Sequence, residues 1–197
     1  MLRCVAVLIA ATCTVVTAPG IPTFESSVTD NSPQCNAALN SLDKPQLATC
    51  FGSPLFFSTP ETVCRSDCLE LAISASKTIA AACSSFQSEH FLPSDVYRNW
   101  SNEAAARAAC TPVSSSLFSS SSRVCLQVMF DSLRAAEELK VGLTVDNPQD
   151  KLGCNIPCVK QVFDAVQGDG DKAPVLYYYG GQLYHDLFDA QRTHCSW

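Results

Sequence analysis

At 197 residues, with 13 Lys and Arg against 19 Asp and Glu and a formal net charge of −6, the chain is acidic and long enough to bury a real core. That balance argues against nucleic acid or an anionic membrane surface as partner, because both recruit basic patches. Twelve cysteines point to an oxidising compartment and a disulfide framework.

The first twenty residues supply the route to that compartment. Met1-Leu2-Arg3 is a short n-region with one positive charge. Residues 4–16 (CVAVLIAATCTVV) are an uncharged apolar run of h-region length, too short to span a bilayer comfortably. A small-residue cleavage pattern ends at Ala18 or Gly20. The second keeps Pro19 away from the position after the cut and is favoured, so residues 1–20 are expected to be a signal peptide. The competing readings are a buried core helix or an uncleaved anchor. No later segment reaches the roughly 18 consecutive apolar residues of a transmembrane helix. The protein is therefore expected to be secreted and extracellular. Residues 21–34, rich in Pro, Ser and Thr without periodicity, read as a flexible arm. A disulfide-stabilised helical domain is expected over 35–197.

Within that domain, residues 35–50 predict two short helices around Lys44-Pro45, with Ala38, Leu39, Leu42 and Leu47 facing inward. Residues 51–57 (FGSPLFF) read as a loop. The strongest helical signal runs over 59–86: Thr59 is a natural N-cap, Pro60 suits the first turn, and Glu61 follows near the positive end of the dipole. Cys64, Cys68, Ala72, Ala75, Ile79 and Cys83 then form one stripe at spacings of three and four. A second helix is expected from Ser94 or Asp95 to Cys110. Residues 114–122 (SSSLFSSSS) are a low-complexity loop with no G-x-S-x-G context for a nucleophilic serine. An amphipathic helix follows over 124–139, with Cys125, Val128, Met129, Leu133 and Ala136 inward, then a long connection over 140–153. Further helices are predicted over 155–167 and 174–195, the last with Gly180-Gly181 as a break or kink. The fold class is thus all-α, a disulfide-stapled bundle of about six to eight short helices.

Loss of the signal peptide removes Cys4 and Cys13 and leaves Cys35, Cys50, Cys64, Cys68, Cys83, Cys110, Cys125, Cys154, Cys158 and Cys195. It also leaves 12 basic against 19 acidic residues. Zinc competes for the two C-x3-C pairs but needs a reducing compartment and usually tighter spacing. Both halves of the domain read C-x14-C, C-x3-C, C, so 35–92 and 94–197 form two candidate pseudo-repeats. Ten cysteines allow hundreds of pairings, and geometry trims them. Cys64 and Cys68, one turn apart on one face, should reach different neighbours rather than each other. The resulting expectation is Cys35–Cys83, Cys50–Cys68, Cys110–Cys195 and Cys125–Cys158, with Cys64–Cys154 joining the halves.

Motifs with chemistry are few. Gly168-Asp169-Gly170-Asp171 invites a calcium loop, but the twelfth position from Asp169 is Gly180 rather than an acidic ligand, so an acidic turn is the better reading. His90, His185 and His194 share no evident site, and an even cysteine count leaves no thiol nucleophile. Glu137-Glu138 and Asp186/Asp189 read as solvated helical carboxylates. Asn99-Trp100-Ser101 is an N-glycosylation sequon. Two aromatic clusters, Phe56-Phe57 and Tyr177-Tyr178-Tyr179, default to core packing. Three consecutive tyrosines cannot all face inward on a helix, so at least one presents its ring and hydroxyl to water or a ligand; Phe56, Phe57, Tyr177, Tyr178 and Tyr179 are the candidate ligand contacts.

A signal peptide, a Pro/Ser/Thr arm, then C-x14-C, C-x3-C and C within Ala- and Leu-rich helices resembles the secreted helical cysteine-rich proteins of filamentous fungi. The likeness covers most of the mature chain and rests on cysteine layout and composition. Cys68 preceding Cys83 by fourteen intervening residues is also similar to a spacing in elicitins, small secreted helical lipid carriers; their other gaps are not matched and no sterol-site residue carries over. The resemblance implies a helical fold and a non-enzymatic extracellular role. The expected function is binding of a lipid or other small apolar ligand, or of an extracellular protein or surface partner, without cofactor or metal. The alternatives are a cell-wall-associated structural protein and, further off, a secreted hydrolase.

Overall fold

A computed structural model of the chain describes residues 32–53, 56–57, 59–84, 98–113, 123–174 and 180–197. Helices α1 (Pro33–Ser41) and α2 (Lys44–Phe51) open it. The Ser32 hydroxyl accepts from the Cys35 N–H at 3.1 Å, and Asp43 accepts from the Gln46 N–H at 3.0 Å, so each start is capped. A two-residue antiparallel ribbon, β1 (Gly52–Ser53) with β2 (Phe56–Phe57), leads to α3 (Pro60–Val63), which Thr59 caps through the Thr62 N–H. Then come α4 (Ser66–Ala82) and α5 (Glu103–Ala109). A second ribbon, β3 (Pro112–Val113) with β4 (Arg123–Val124), precedes α6 (Cys125–Lys140). Short α7 (Pro148–Lys151), α8 (Pro157–Ala165), a 3-10 turn (Gly170–Lys172) and α9 (Gly180–His194) complete the series. Among the described residues the sheets stop at two strands each, and the molecule is a disulfide-stapled all-α fold.

The inward stripes carry the packing. Cys68, Ala72, Ala75, Ile79 and Cys83 of the α4 stripe are all buried, and two bridges fasten this face to the first helices: Cys35–Cys83 (Cα–Cα 4.8 Å) and Cys50–Cys68 (5.3 Å). On α6, Cys125, Val128, Met129, Leu133 and Ala136 are buried as their spacing predicts, and α9 lies across this helix. Alanine-rich α5 lets its backbone approach α8 closely: Ala105, Ala106 and Ala109 are fully buried, and Asn102 Nδ2 donates to the Ala165 carbonyl at 3.0 Å. Trp100, Leu126, Leu152, Tyr184, Leu187 and Phe188 fill the centre. Each large apolar side chain buried there contributes roughly 1.5–3 kcal/mol.

Three expectations are corrected. The helix expected over 59–86 is two helices, because Cys64 closes α3 and Arg65 is extended (φ −61, ψ 145) before α4 begins. Cys64 and Cys68 therefore do not share one continuous helical face. The helix expected from 94 or 95 to 110 is interrupted: residues 98–100 are helical, and Asn102 then resets the chain and caps α5 by accepting from the Ala105 N–H at 3.2 Å; residues 85–97 lie outside the description. Two of the five expected bridges also differ. Cys64 pairs with Cys110, not Cys154 (Cα–Cα 5.0 Å), and Cys195 pairs with Cys154, not Cys110 (5.3 Å). The break at Arg65 turns Cys64 towards the end of α5, and the Cys110 position is then taken. Cys125–Cys158 forms as expected at 6.0 Å, and neither C-x3-C pair closes on itself. Cys64–Cys110 crosses the 92/94 boundary, as do the Arg107–Glu70 and Lys77–Glu103 ion pairs between α4 and α5.

Candidate functional site

Of the residues singled out from sequence, the ten cysteines are all in bridges. Phe56 and Phe57 form β2, and their side chains lie outside the described parts; Tyr177, Tyr178 and Tyr179 lie outside the described residues altogether. Asn99 is only 7% exposed and is followed by fully buried Trp100, surroundings that disfavour a bulky glycan on the folded chain. The Gly168–Asp171 stretch is a capped turn: the Asp169 carboxylate accepts from the Asp171 N–H at 3.1 Å and pairs with Lys172 at 2.9 Å. Lys172 holds the Asp169 carboxyl below its ordinary value.

Three of the singled-out carboxylates have cationic partners. Asp186 accepts both contacts of Lys140 Nζ, at 2.8 and 2.9 Å, while Asp189 pairs with Arg192 and, at 3.6 Å, with His185. Glu138 accepts from Arg134 at 3.0 Å. Asp186 and Asp189 thus have different partners. Among the described residues no group of three or more His, Cys, Asp or Glu is placed to hold a metal ion, and no helix is long and apolar enough to cross a membrane.

What the fold does present is apolar surface at one turn. Three large hydrophobic residues are exposed among those described, and two of them, Val141 at 67% and Leu143 at 58%, flank Gly142. This turn is held by backbone geometry. Gly142 takes the left-handed conformation (φ +78) that a β-carbon disfavours, its N–H donates to the Leu139 carbonyl at 3.0 Å, and the Leu143 N–H donates to Glu138 at 2.9 Å. These two bonds are the Schellman ending of a helix, in which the residue after the glycine usually packs back on the last turn. Here Leu143 instead points to solvent. At the base of the turn, the Lys140 charge is paired with Asp186, so the apolar tip is not flanked by an unpaired cation. From sequence, residues 140–153 are expected only to connect two helices. The overlooked signal is a pair of large apolar residues astride a helix-ending glycine, outside the inward stripe.

The third exposed residue, Trp197, belongs to an aromatic corner on α8 and α9. Its indole N–H donates to the Cys154 carbonyl at 3.0 Å, its ring meets Phe163 edge-on at 4.9 Å, and Lys160 Nζ lies 5.7 Å from its centroid. Phe163 also meets Phe188 edge-on at 5.2 Å and carries the Arg192 guanidinium at 5.8 Å. Such edge contacts and cation–π pairs each add up to about 1 kcal/mol at exposed sites. The corner clamps the segment after α9 onto α8 and onto Cys154 before it. No protein family, curated protein or solved structure shows a significant match to the chain.

Proposed function

We propose that this is a secreted, non-enzymatic helical protein that presents the 141–143 turn to an extracellular protein partner. The observation that carries this reading is the exposure of Val141 and Leu143 on a turn whose backbone is already ordered. Leaving apolar area in water costs about 25 cal/mol per Å², and a partner with an apolar recess recovers it without ordering the turn first. Five bridges suit a module that must keep one shape outside the cell.

The test is retention of fluorescently labelled, fully oxidised protein on intact cells, comparing the wild type with Val141→Asp/Leu143→Asp. Both positions are exposed, so the variant should keep its far-ultraviolet spectrum and its bridges while losing about tenfold or more in retention. Equal retention of the two proteins overturns the reading. Native mass spectrometry of the secreted protein separates the carrier reading, because a co-purified lipid would assign the function to apolar-ligand binding instead.

A further inference from the structure

The five bridges are not equally protected. Cys35, Cys50, Cys68, Cys83, Cys110, Cys125 and Cys158 are each less than 9% exposed, so four bridges contain at least one buried cysteine. Cys154–Cys195 is the exception: both of its cysteines are partly exposed. Accessibility decides where an attacking thiolate arrives first, and exposed bridges are the labile ones.

What this bridge restrains is small and sharply bounded. Up to Gln191, α9 is anchored independently of it: Tyr184, Leu187 and Phe188 are fully buried, Lys140 pairs with Asp186, and Gln191 Nε2 donates to the Leu152 carbonyl at 2.8 Å. Beyond Gln191, the 195–197 segment is held by the bridge, by the Cys195 N–H on the Gln191 carbonyl at 2.8 Å, and by the Trp197 contacts to Cys154, Phe163 and Lys160. Opening the bridge therefore loosens a strap and not the bundle.

We infer that Cys154–Cys195 is a redox latch, the first bridge opened by a dithiol, whose opening releases the Trp197 strap and uncovers Phe163 while the helical bundle stays folded. The reaction is ordinary exchange. A thiolate of the dithiol attacks one sulfur of the bridge, forming a mixed disulfide and expelling the other sulfur as thiolate. The second thiol of the reductant then closes its own disulfide and releases the first cysteine. The bridge gains two electrons, the dithiol loses two, and the two proton equivalents from its thiols pass to the two cysteine thiols. The result is a larger exposed aromatic patch, Trp197 now joined by Phe163, formed under reducing conditions and separate from the 141–143 turn.

Graded dithiothreitol treatment of the native full chain, with alkylation and peptide mapping, tests the order of opening. Cys154 and Cys195 should be labelled about tenfold faster or more than any other pair. Tryptophan emission should move to longer wavelength in the same interval, and Trp197→Phe should abolish that shift because Trp100 stays buried. Cys154→Ser/Cys195→Ser should keep the far-ultraviolet spectrum of the wild type and show the shifted emission without reductant. Prior labelling of another pair, simultaneous labelling of all ten thiols, or unchanged emission once the bridge has opened overturns the inference, and the wild-type experiment decides even if the double variant fails to fold.

Discussion

A β-carbon added at Gly170 would lie 2.2 Å from the His185 nitrogen and 2.4 Å from its Cα, so the 3-10 turn packs backbone to backbone on α9. Neither side can yield without moving a helix. Gly170→Ala is expected to cost about 3 kcal/mol or more in urea unfolding, at the upper end of overpacking effects. Gly142 makes the opposite case. Its added β-carbon meets nothing within 4 Å, and only its positive φ is penalised, so Gly142→Ala should cost about 1–2 kcal/mol. Equal losses at the two positions would contradict this assignment of causes. In the sequence Gly142 lies between Val141 and Leu143, and Gly170 between Asp169 and Asp171. The helix-ending role of Gly142 is a local property that could have been read, whereas the close approach at Gly170 exists only once α9 has docked.

Between α4 and α5, a set of exposed ion pairs bridges the two helices. Arg107 donates to both oxygens of Glu70 at 2.7 and 3.1 Å and to Glu103 at 2.8 Å, and Lys77 also reaches Glu103. Glu70 is held below its ordinary value chiefly by Arg107, and Glu103 by Lys77 and then Arg107. Both carboxyls are more acidic in the folded chain than in the unfolded one. Their support is therefore complete above their unfolded value near 4.5 and is lost as the pH falls through the lower folded values. Glu70→Gln should give a shallower fall of Tm on acidification below pH 4.5 than the wild type shows; parallel curves would refute the brace. These groups are solvent-exposed, so the effect is modest and shrinks with added salt. Helix positions at this scale were largely legible, because period and capping are local. The interruption at Cys64 and Arg65 was not. Thr59, Pro60 and the stripe from Cys68 onward all favour helix, and nothing in the periodicity marks where one helix stops and the next begins.

Across the whole molecule, the Cys64–Cys110 bridge closes a loop with a sequence separation of 46 and joins the first helices to the second half. Chain entropy assigns such a closure about 4 kcal/mol, so Cys64→Ser/Cys110→Ser should lose about 2–4 kcal/mol in chemical denaturation while remaining helical. Peptide mapping of the unreduced protein should recover Cys64–Cys110 and Cys154–Cys195. A Cys110–Cys195 peptide would contradict the fold itself, since it requires α5 to meet the end of α9. The pseudo-repeat suggested by cysteine spacing is not carried into the pairing. Cys50–Cys68 and Cys125–Cys158 correspond, but Cys110 crosses to the first half where Cys35 stays within it.

Sequence by itself determined the helical class and the inward stripes of α4 and α6, and it supported the expectations, met by the structure, of three of the five bridges and of two C-x3-C pairs that do not close on themselves. Each follows from side-chain period, capping chemistry and the reach of a disulfide along or between adjacent helices. Only the tertiary structure decided the partners of Cys64 and Cys195, the burial of Asn99, the exposure of Val141 and Leu143, and the clamping of Trp197 over the Cys154 carbonyl. Those depend on where the chain breaks between α3 and α4 and on which helix faces then come together, and residue spacing along the chain carries no record of that.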